Sequence, residues 1–199
     1  MKNPTSGIQE HFLDCSRLAI DCATTLEEPI LCAVSVCINA LHHSGKIVLF
    51  GNGGSAAEAQ HIAAEFLCRY DADRDPIPAL TLTTDTSTIT AIANDVSYED
   101  IFSRQISVLV SKNDAVIGLS TSGTSLNVIN GLRMAYKMDA STVLLTSDKL
   151  AGEYPFVCTH IRAPSKTTAY IQVIHTIVGH IIVEQVEKIL KKERVTTCP

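Results

Sequence analysis

Basic residues are few in this chain and rarely adjacent. Lys and Arg number 16 against 21 Asp and Glu, a formal net charge of −5, and Lys191-Lys192 is the one basic cluster. That leaves no broad positive surface of the kind that binds nucleic acid through counterion release. The seven cysteines include no C-x-x-C pair, so no cysteine-built metal signature is present. Free cysteine in apolar surroundings behaves as a small hydrophobe, which fits a reducing compartment. No basic segment followed by an apolar core opens the chain, and its uninterrupted apolar runs are too short to span a bilayer. A cytoplasmic protein without membrane association is the expectation. Repeats and low-complexity linkers are lacking too. With 46% hydrophobic and 19% charged residues, disorder is disfavoured, and 199 residues suit a single domain over 1–199.

What is there alternates. Ile8, Phe12, Cys15 and Ala19 lie at helical spacing within 8–24. Glu28-Pro29 opens a second helix with Ile30, Val34, Cys37, Ile38 and Leu41 on its apolar face and Gly45 at its end. These N-terminal helices cover about 7–44. Short apolar runs then read as buried strands at 46–50, 78–83, 115–119, 142–146 and 156–161. Helical patterns separate most of them, at 55–69, 86–93 with 101–110, and 125–137, and a last helix covers 167–190. This order predicts an α/β three-layer sandwich: a mostly parallel five-stranded sheet flanked by helices. Ligands of such sheets sit at the carboxyl ends of the strands.

Two loops fall at that edge. Gly51-Asn52-Gly53-Gly54-Ser55 leaves the first strand and opens a helix. Helix N-termini attract anions through unpaired N–H groups, although a plain strand-to-helix turn with Ser55 as N-cap would give the same pattern. The loop is neither a Walker motif nor a G-x-G-x-x-G fingerprint. Ser120-Thr121-Ser122-Gly123-Thr124-Ser125 places five hydroxyls in six residues at the head of another helix, more than one N-cap needs. Hydroxyls and backbone amides together can surround a phosphate without a lysine. His61 and Glu65, four apart, share a helix face, and Arg69 continues that row if the helix does. A solvated polar stripe opposite Ile62, Phe66 and Leu67 accounts equally well for these residues taken alone.

Together, the GNGGS loop with His61 and Glu65, the Asn94-Asp95 step, the STSGTS loop and the Ile171-Gln172…His180 segment resemble the sedoheptulose 7-phosphate (phosphoheptose) isomerases of the sugar isomerase, or SIS, domain superfamily. The likeness runs in order through nearly the whole chain. It implies the SIS fold and conversion of sedoheptulose 7-phosphate to D-glycero-D-manno-heptose 7-phosphate, for heptose biosynthesis. Asn52, Gly53, Gly54 and Ser55, with Asn94 and Asp95, would meet the sugar; Ser120, Thr121, Ser122 and Ser125 would hold its phosphate. Glu65 and His180 would form the acid/base pair. Arg69 and Gln172 would line the substrate site, and His61, Glu65, Gln172 and His180 would surround a zinc ion. The family's usual state implies a homotetramer. At one place this chain departs from the resemblance: familiar members carry Asp-Arg before Ile-Gln, and here stand Ala169-Tyr170. The alternative is a non-catalytic SIS regulator that binds a replication initiator or another protein. Retention of His61, Glu65 and His180 speaks for catalysis.

The last helix is mostly apolar, interrupted by Gln172, His175, Thr176 and His180. His175 reads as a hydrogen-bonded or interface histidine. Gln172 and His180 are separated by about 12 Å of helix rise, too far to share an ion through backbone spacing alone. Either long side chains converge or a neighbouring subunit contributes. The helix's apolarity on several sides also favours an oligomer with active sites at subunit interfaces.

Overall fold

The protein is described here from a computed structural model that covers residues 4–71 and 73–197; Cys198 lies outside them. Helices α1 (Pro4–Thr25) and α2 (Glu27–His42) precede the sheet strands β1 (Ile47–Gly51), β2 (Ala79–Thr81), β3 (Ala115–Leu119), β4 (Ser141–Ser147) and β5 (Thr159–Ala163). Between and after them run α3 (Gly54–Leu67), α4 (Thr86–Asp95), α5 (Ser103–Leu109), α6 (Leu126–Lys137) and α7 (Thr168–Thr197). The strand order is β2-β1-β3-β4-β5, and every neighbouring pair is parallel.

The apolar runs of β1 and β3 are buried throughout because both sheet faces are covered. Ile47, Leu49, Ala115, Ile117, Leu119, Val143 and Leu145 point to the layer formed by α1, α2, α3 and α7. Val48, Phe50, Val116 and Leu144 alternate to the opposite face, against α5 and α6. Phe66 on α3 is wholly buried; a side chain of this kind stabilises a fold by roughly 1.5–3 kcal/mol.

Three local departures from the sequence reading have simple causes. The last strand starts at Thr159 rather than 156, because Phe156 turns its ring into the α5–α6 core while Val157 closes a turn onto the Tyr154 carbonyl. Ser44 (φ 59°), not Gly45, takes the left-handed position after α2. Of the described cysteines only Cys37 is buried, its thiol pushed up to about 12 by burial, whereas Cys32, Cys68 and Cys158 are exposed.

By length and composition alone Thr168–Glu193 could cross a membrane, although no uninterrupted apolar run in it is that long. Its Ile171, Ile174, Val178, Ile182, Val183 and Val186 belong to the core. The Ala169-Tyr170 step at its start docks α1: the Tyr170 ring lies 4.8 Å from His11.

At the amino edge of the sheet, buried Asp114 accepts from the Lys46 amide (2.9 Å), Lys46 Nζ (2.7 Å) and the Ser111 amide (2.7 Å). Burial alone would raise its pKa, but these donors outweigh it and hold the carboxyl below the ordinary aspartate value. A depressed folded pKa means stability that is complete above the unfolded value, about 4, and is lost as pH falls through the lower folded value. Asp114→Asn is therefore expected to lower stability near neutrality by about 1.5–3 kcal/mol. It should also weaken the loss of stability on acidification, as denaturant titrations from pH 7 downward would report.

Candidate active site

From β1 the chain crosses to β2 on one side, then returns past β1 to β3 on the other. The β1/β3 boundary is thus the switch point, and α3 and α6 leave it toward opposite faces of the sheet. Both small-residue loops open there, at the carboxyl edge, as expected for a ligand crevice.

Gly53 (φ 53°), not Ser55, is the N-cap of α3, and no side chain caps this helix end. Ser55 is buried in the first turn. A Cβ on Gly54 would stand 2.2 Å from Gln172 Nε2, so the missing side chain lets Gln172 lie against the start of α3. In the second loop Ser120 Oγ donates to Ser125 Oγ (3.1 Å) and accepts from the Gly123 amide (3.2 Å), while Thr124 donates to Ser122 Oγ through its amide (3.2 Å) and hydroxyl (3.1 Å). Ser125 is the N-cap of α6, yet its hydroxyl makes no capping bond. Gly123 (φ 72°) permits the sharp turn, with Leu150 packed over it. Ser147 Oγ donates to the Thr121 carbonyl (2.6 Å) and Tyr154 Oη to the Gly123 carbonyl (3.0 Å), fixing the backbone from behind. The result is a ring of small hydroxyls over a helix N-terminus, chemistry suited to a phosphate.

Asn52 joins the two loops through two residues the sequence reading passed over, Asn127 and Tyr98. Asn52 and Asn127 exchange amide hydrogen bonds, both 2.8 Å, and Tyr98 Oη donates to Asn52 Oδ1 (3.1 Å). Asn127 follows the STSGTS loop by two residues, close enough to have been noticed. Nothing local marks Tyr98. Asn94 and Asp95, exposed at the end of α4, bond to each other (2.7 Å) just before Tyr98 reaches Asn52.

Helices α3 and α7 run alongside in parallel register. Gln172 meets Gly54, Thr176 Oγ1 donates to Glu58 Oε2 (2.8 Å), and Gly179 closes onto Ile62. One step further, His61 Nε2 lies 2.7 Å from His180 Nε2. His61 Nδ1 is 3.9 Å from Glu65 Oε1, and nitrogen and oxygen donors of His61, Glu65 and His180 all fall within 4.8 Å of one another. Two imidazoles and a carboxylate fit a zinc-like ion. Gln172 does not join them within one chain: its contact, Gly54, lies about 10 Å of helix rise from His61.

Arg69 also leaves the expected row. Helix α3 ends at Leu67, with Cys68 as C-cap, so Arg69 is an exposed residue beyond it. The next residue, Tyr70, brings its ring to 5.2 Å from His180. Behind this corner Arg74 donates to the Glu65 carbonyl (2.7 Å), the Phe66 carbonyl (2.8 Å) and Glu187 Oε1 (2.5 Å), and the Tyr70 amide also donates to Glu187 (3.0 Å). These bonds cap α3 and lock it to α7, which sets the position of Glu65 relative to His180. Burial acts against the Glu187 carboxylate, but the Tyr70 amide and Arg74 prevail and keep its pKa below the ordinary value.

Residues 11–147 match the family described as the SIS domain. A phosphoheptose isomerase of Shewanella sp. (strain W3-18-1) is 42% identical over 186 residues, covering 92% of this chain and 94% of that protein. The solved structure of a phosphoheptose isomerase from Neisseria gonorrhoeae superimposes with a TM-score of 0.86 at 33% identity, covering 94% of this chain and all of that one. One from Francisella tularensis gives 0.87 at 27% identity, covering 94% and 99%.

Proposed function

Because the chain belongs to the SIS domain family and, within it, to the phosphoheptose isomerases, sugar phosphate isomerising enzymes, we propose that it converts sedoheptulose 7-phosphate to D-glycero-D-manno-heptose 7-phosphate. The observation that carries this reading is the meeting of His61, Glu65 and His180 at the α3/α7 contact. A polar stripe on α3 alone would not bring a histidine from α7 to 2.7 Å of His61.

Ketose–aldose exchange removes a proton from C1 of the open-chain sugar and returns one to C2, through an enediol. Glu65 takes the carbon-bound proton and delivers it to the neighbouring carbon. His180 moves the proton between the two oxygens. His61, in contact with His180, fixes the orientation of that ring. Ser120, Thr121, Ser122 and Ser125 hold the phosphate, and Asn52, Gly53, Gly54, Ser55, Asn94 and Asp95 face the sugar; Arg69 and Gln172 complete its surroundings. Binding energy from the remote phosphate orients the reacting carbons. A zinc ion held by His61, Glu65 and His180 would polarise the carbonyl and offset enediolate charge.

Glu65 lies about 16 Å along α3 from Gly54, and Gly54 stands at the edge that carries both loops. An open seven-carbon sugar phosphate is by itself shorter than that rise. This favours a site in which the proton-transfer cluster of one copy works with the phosphate loop of a neighbouring copy, with Gln172 joining the cluster across the same boundary. Exposed apolar side chains on α1 (Ile8, Phe12, Leu13, Ile20) and α7 (Val173, Ile177) supply surface for the assembly, a homotetramer.

The direct test incubates purified protein with sedoheptulose 7-phosphate and follows the aldose by NMR; no product from folded protein would reject the reading. Ser122→Ala and Ser125→Ala should each weaken binding of the phosphorylated sugar by about 1.5–3 kcal/mol, with a much smaller loss for unphosphorylated sedoheptulose. Equal losses for both sugars would remove the second loop as the phosphate site.

A further inference from the structure

The amide orientations of Asn52 and Asn127 can be assigned from chemistry. Asn127 Oδ1 accepts from the Val128 backbone amide (2.9 Å), a group that can only donate. This places the Asn127 NH2 toward Asn52, where it donates to Asn52 Oδ1, while the Asn52 NH2 donates back to Asn127 Oδ1. Tyr98 Oη supplies a second donor to Asn52 Oδ1. Both acceptor positions of Asn52 Oδ1 are then filled, and one N–H of its amide remains. Asn127 is 2% exposed, whereas Asn52 is only half-buried at the crevice. Neither Asn127 nor Tyr98 belongs to the residues assigned to the sugar, the phosphate or proton transfer.

We propose that Asn127 and Tyr98 are positioning residues that hold Asn52 as a pure hydrogen-bond donor, so that the crevice selects an acceptor oxygen of the sugar at that point. The proposal rests on the sugar phosphate reading of the site. A free asparagine would accept from a sugar hydroxyl as readily as it donates to an oxygen; this one cannot accept. The brace also ties the first loop to the first turn of α6, so the donor keeps a fixed place relative to the hydroxyls that surround the phosphate.

The test measures calorimetric affinities of the full-length protein for sedoheptulose 7-phosphate and for inorganic phosphate, with turnover followed separately by NMR. Tyr98→Phe removes one exposed hydroxyl, at little cost to folding, and should weaken sugar phosphate binding about 2- to 10-fold. Asn127→Leu, which frees the Asn52 amide, should weaken it tenfold or more, on the same scale. Inorganic phosphate affinity should stay within about twofold of wild type in both variants, because neither residue is among the loop hydroxyls. Asn52→Asp, an acceptor in place of the donor, should lose more than Asn52→Ala. Unchanged sugar phosphate affinity in Tyr98→Phe and Asn127→Leu overturns the proposal. So do parallel losses for inorganic phosphate, which would mark the pair as a structural tie only. Failure of the functional reading looks different: wild-type protein that binds sedoheptulose 7-phosphate without isomerising it rejects the reaction, while the affinity ratios still support or overturn the brace. A wild type that binds no sugar phosphate overturns both.

Discussion

Glu65→Gln is expected to reduce kcat about 10²- to 10⁴-fold with little change in KM or in thermal stability. The substitution keeps the volume of the side chain and removes its ability to take a proton from carbon. Glu65 is partly exposed, and its side chain makes no hydrogen bond that the fold relies on; Arg74 holds it through its backbone carbonyl. A loss in kcat should therefore appear without a loss of structure. Deuterium at C1 sharpens the measurement: the wild type should remove it from that carbon and the variant should not. A variant that keeps more than roughly a third of wild-type kcat, far outside the range for a general base, would remove Glu65 from that role.

The second large effect is a recovery. Glu65→Gln and the double variant Ser122→Ala/Ser125→Ala should each be nearly inactive alone. If one copy's α3/α7 cluster serves another copy's phosphate loop, subunit exchange between them creates sites in which both parts are intact. Random assortment in a symmetric oligomer gives about one such site in four, so activity should rise from background toward a quarter of wild type. Glu65→Gln mixed with His180→Gln should behave differently, because the structure puts both residues in one cluster of one chain. Every site of that mixture then lacks one of the two. Rescue of the Glu65/His180 pair, or no rescue of the Glu65/loop pair despite proven exchange, would place the subunit boundary elsewhere.

Much of this architecture was legible because the strands are short apolar runs between helical periods, and a sheet covered on both faces leaves that trace. The predicted 115–119 strand is β3 itself. Where the reading slipped, tertiary packing had overruled the local pattern: Phe156 resembles the start of a strand but is a turn residue seated in the core. The loops were visible through glycine and hydroxyl content. The grouping of His61 and Glu65 with His180 was not, since no spacing rule reports the register of two helices more than a hundred residues apart; only the resemblance linked them. Arg69 escaped for a similar reason, as the helix stops where Arg74 takes its last carbonyls. Asn127 stood two residues past the second loop, whereas Tyr98 had nothing local to announce it, because its role consists of satisfying another side chain.

The placement of β1 between β2 and β3 has a consequence for how the protein matures. The β1–β3 ladder joins residues about seventy positions apart, and the Asn52–Asn127 tie closes a span of 75. Contacts this distant in sequence must overcome loop-closure entropy before they contribute anything, so they form late. Neither loop has its partner until that ladder exists, however much helix has already formed. Capacity to bind the ligand is thus among the last properties the chain acquires, and a collapsed, helix-rich intermediate would be without it.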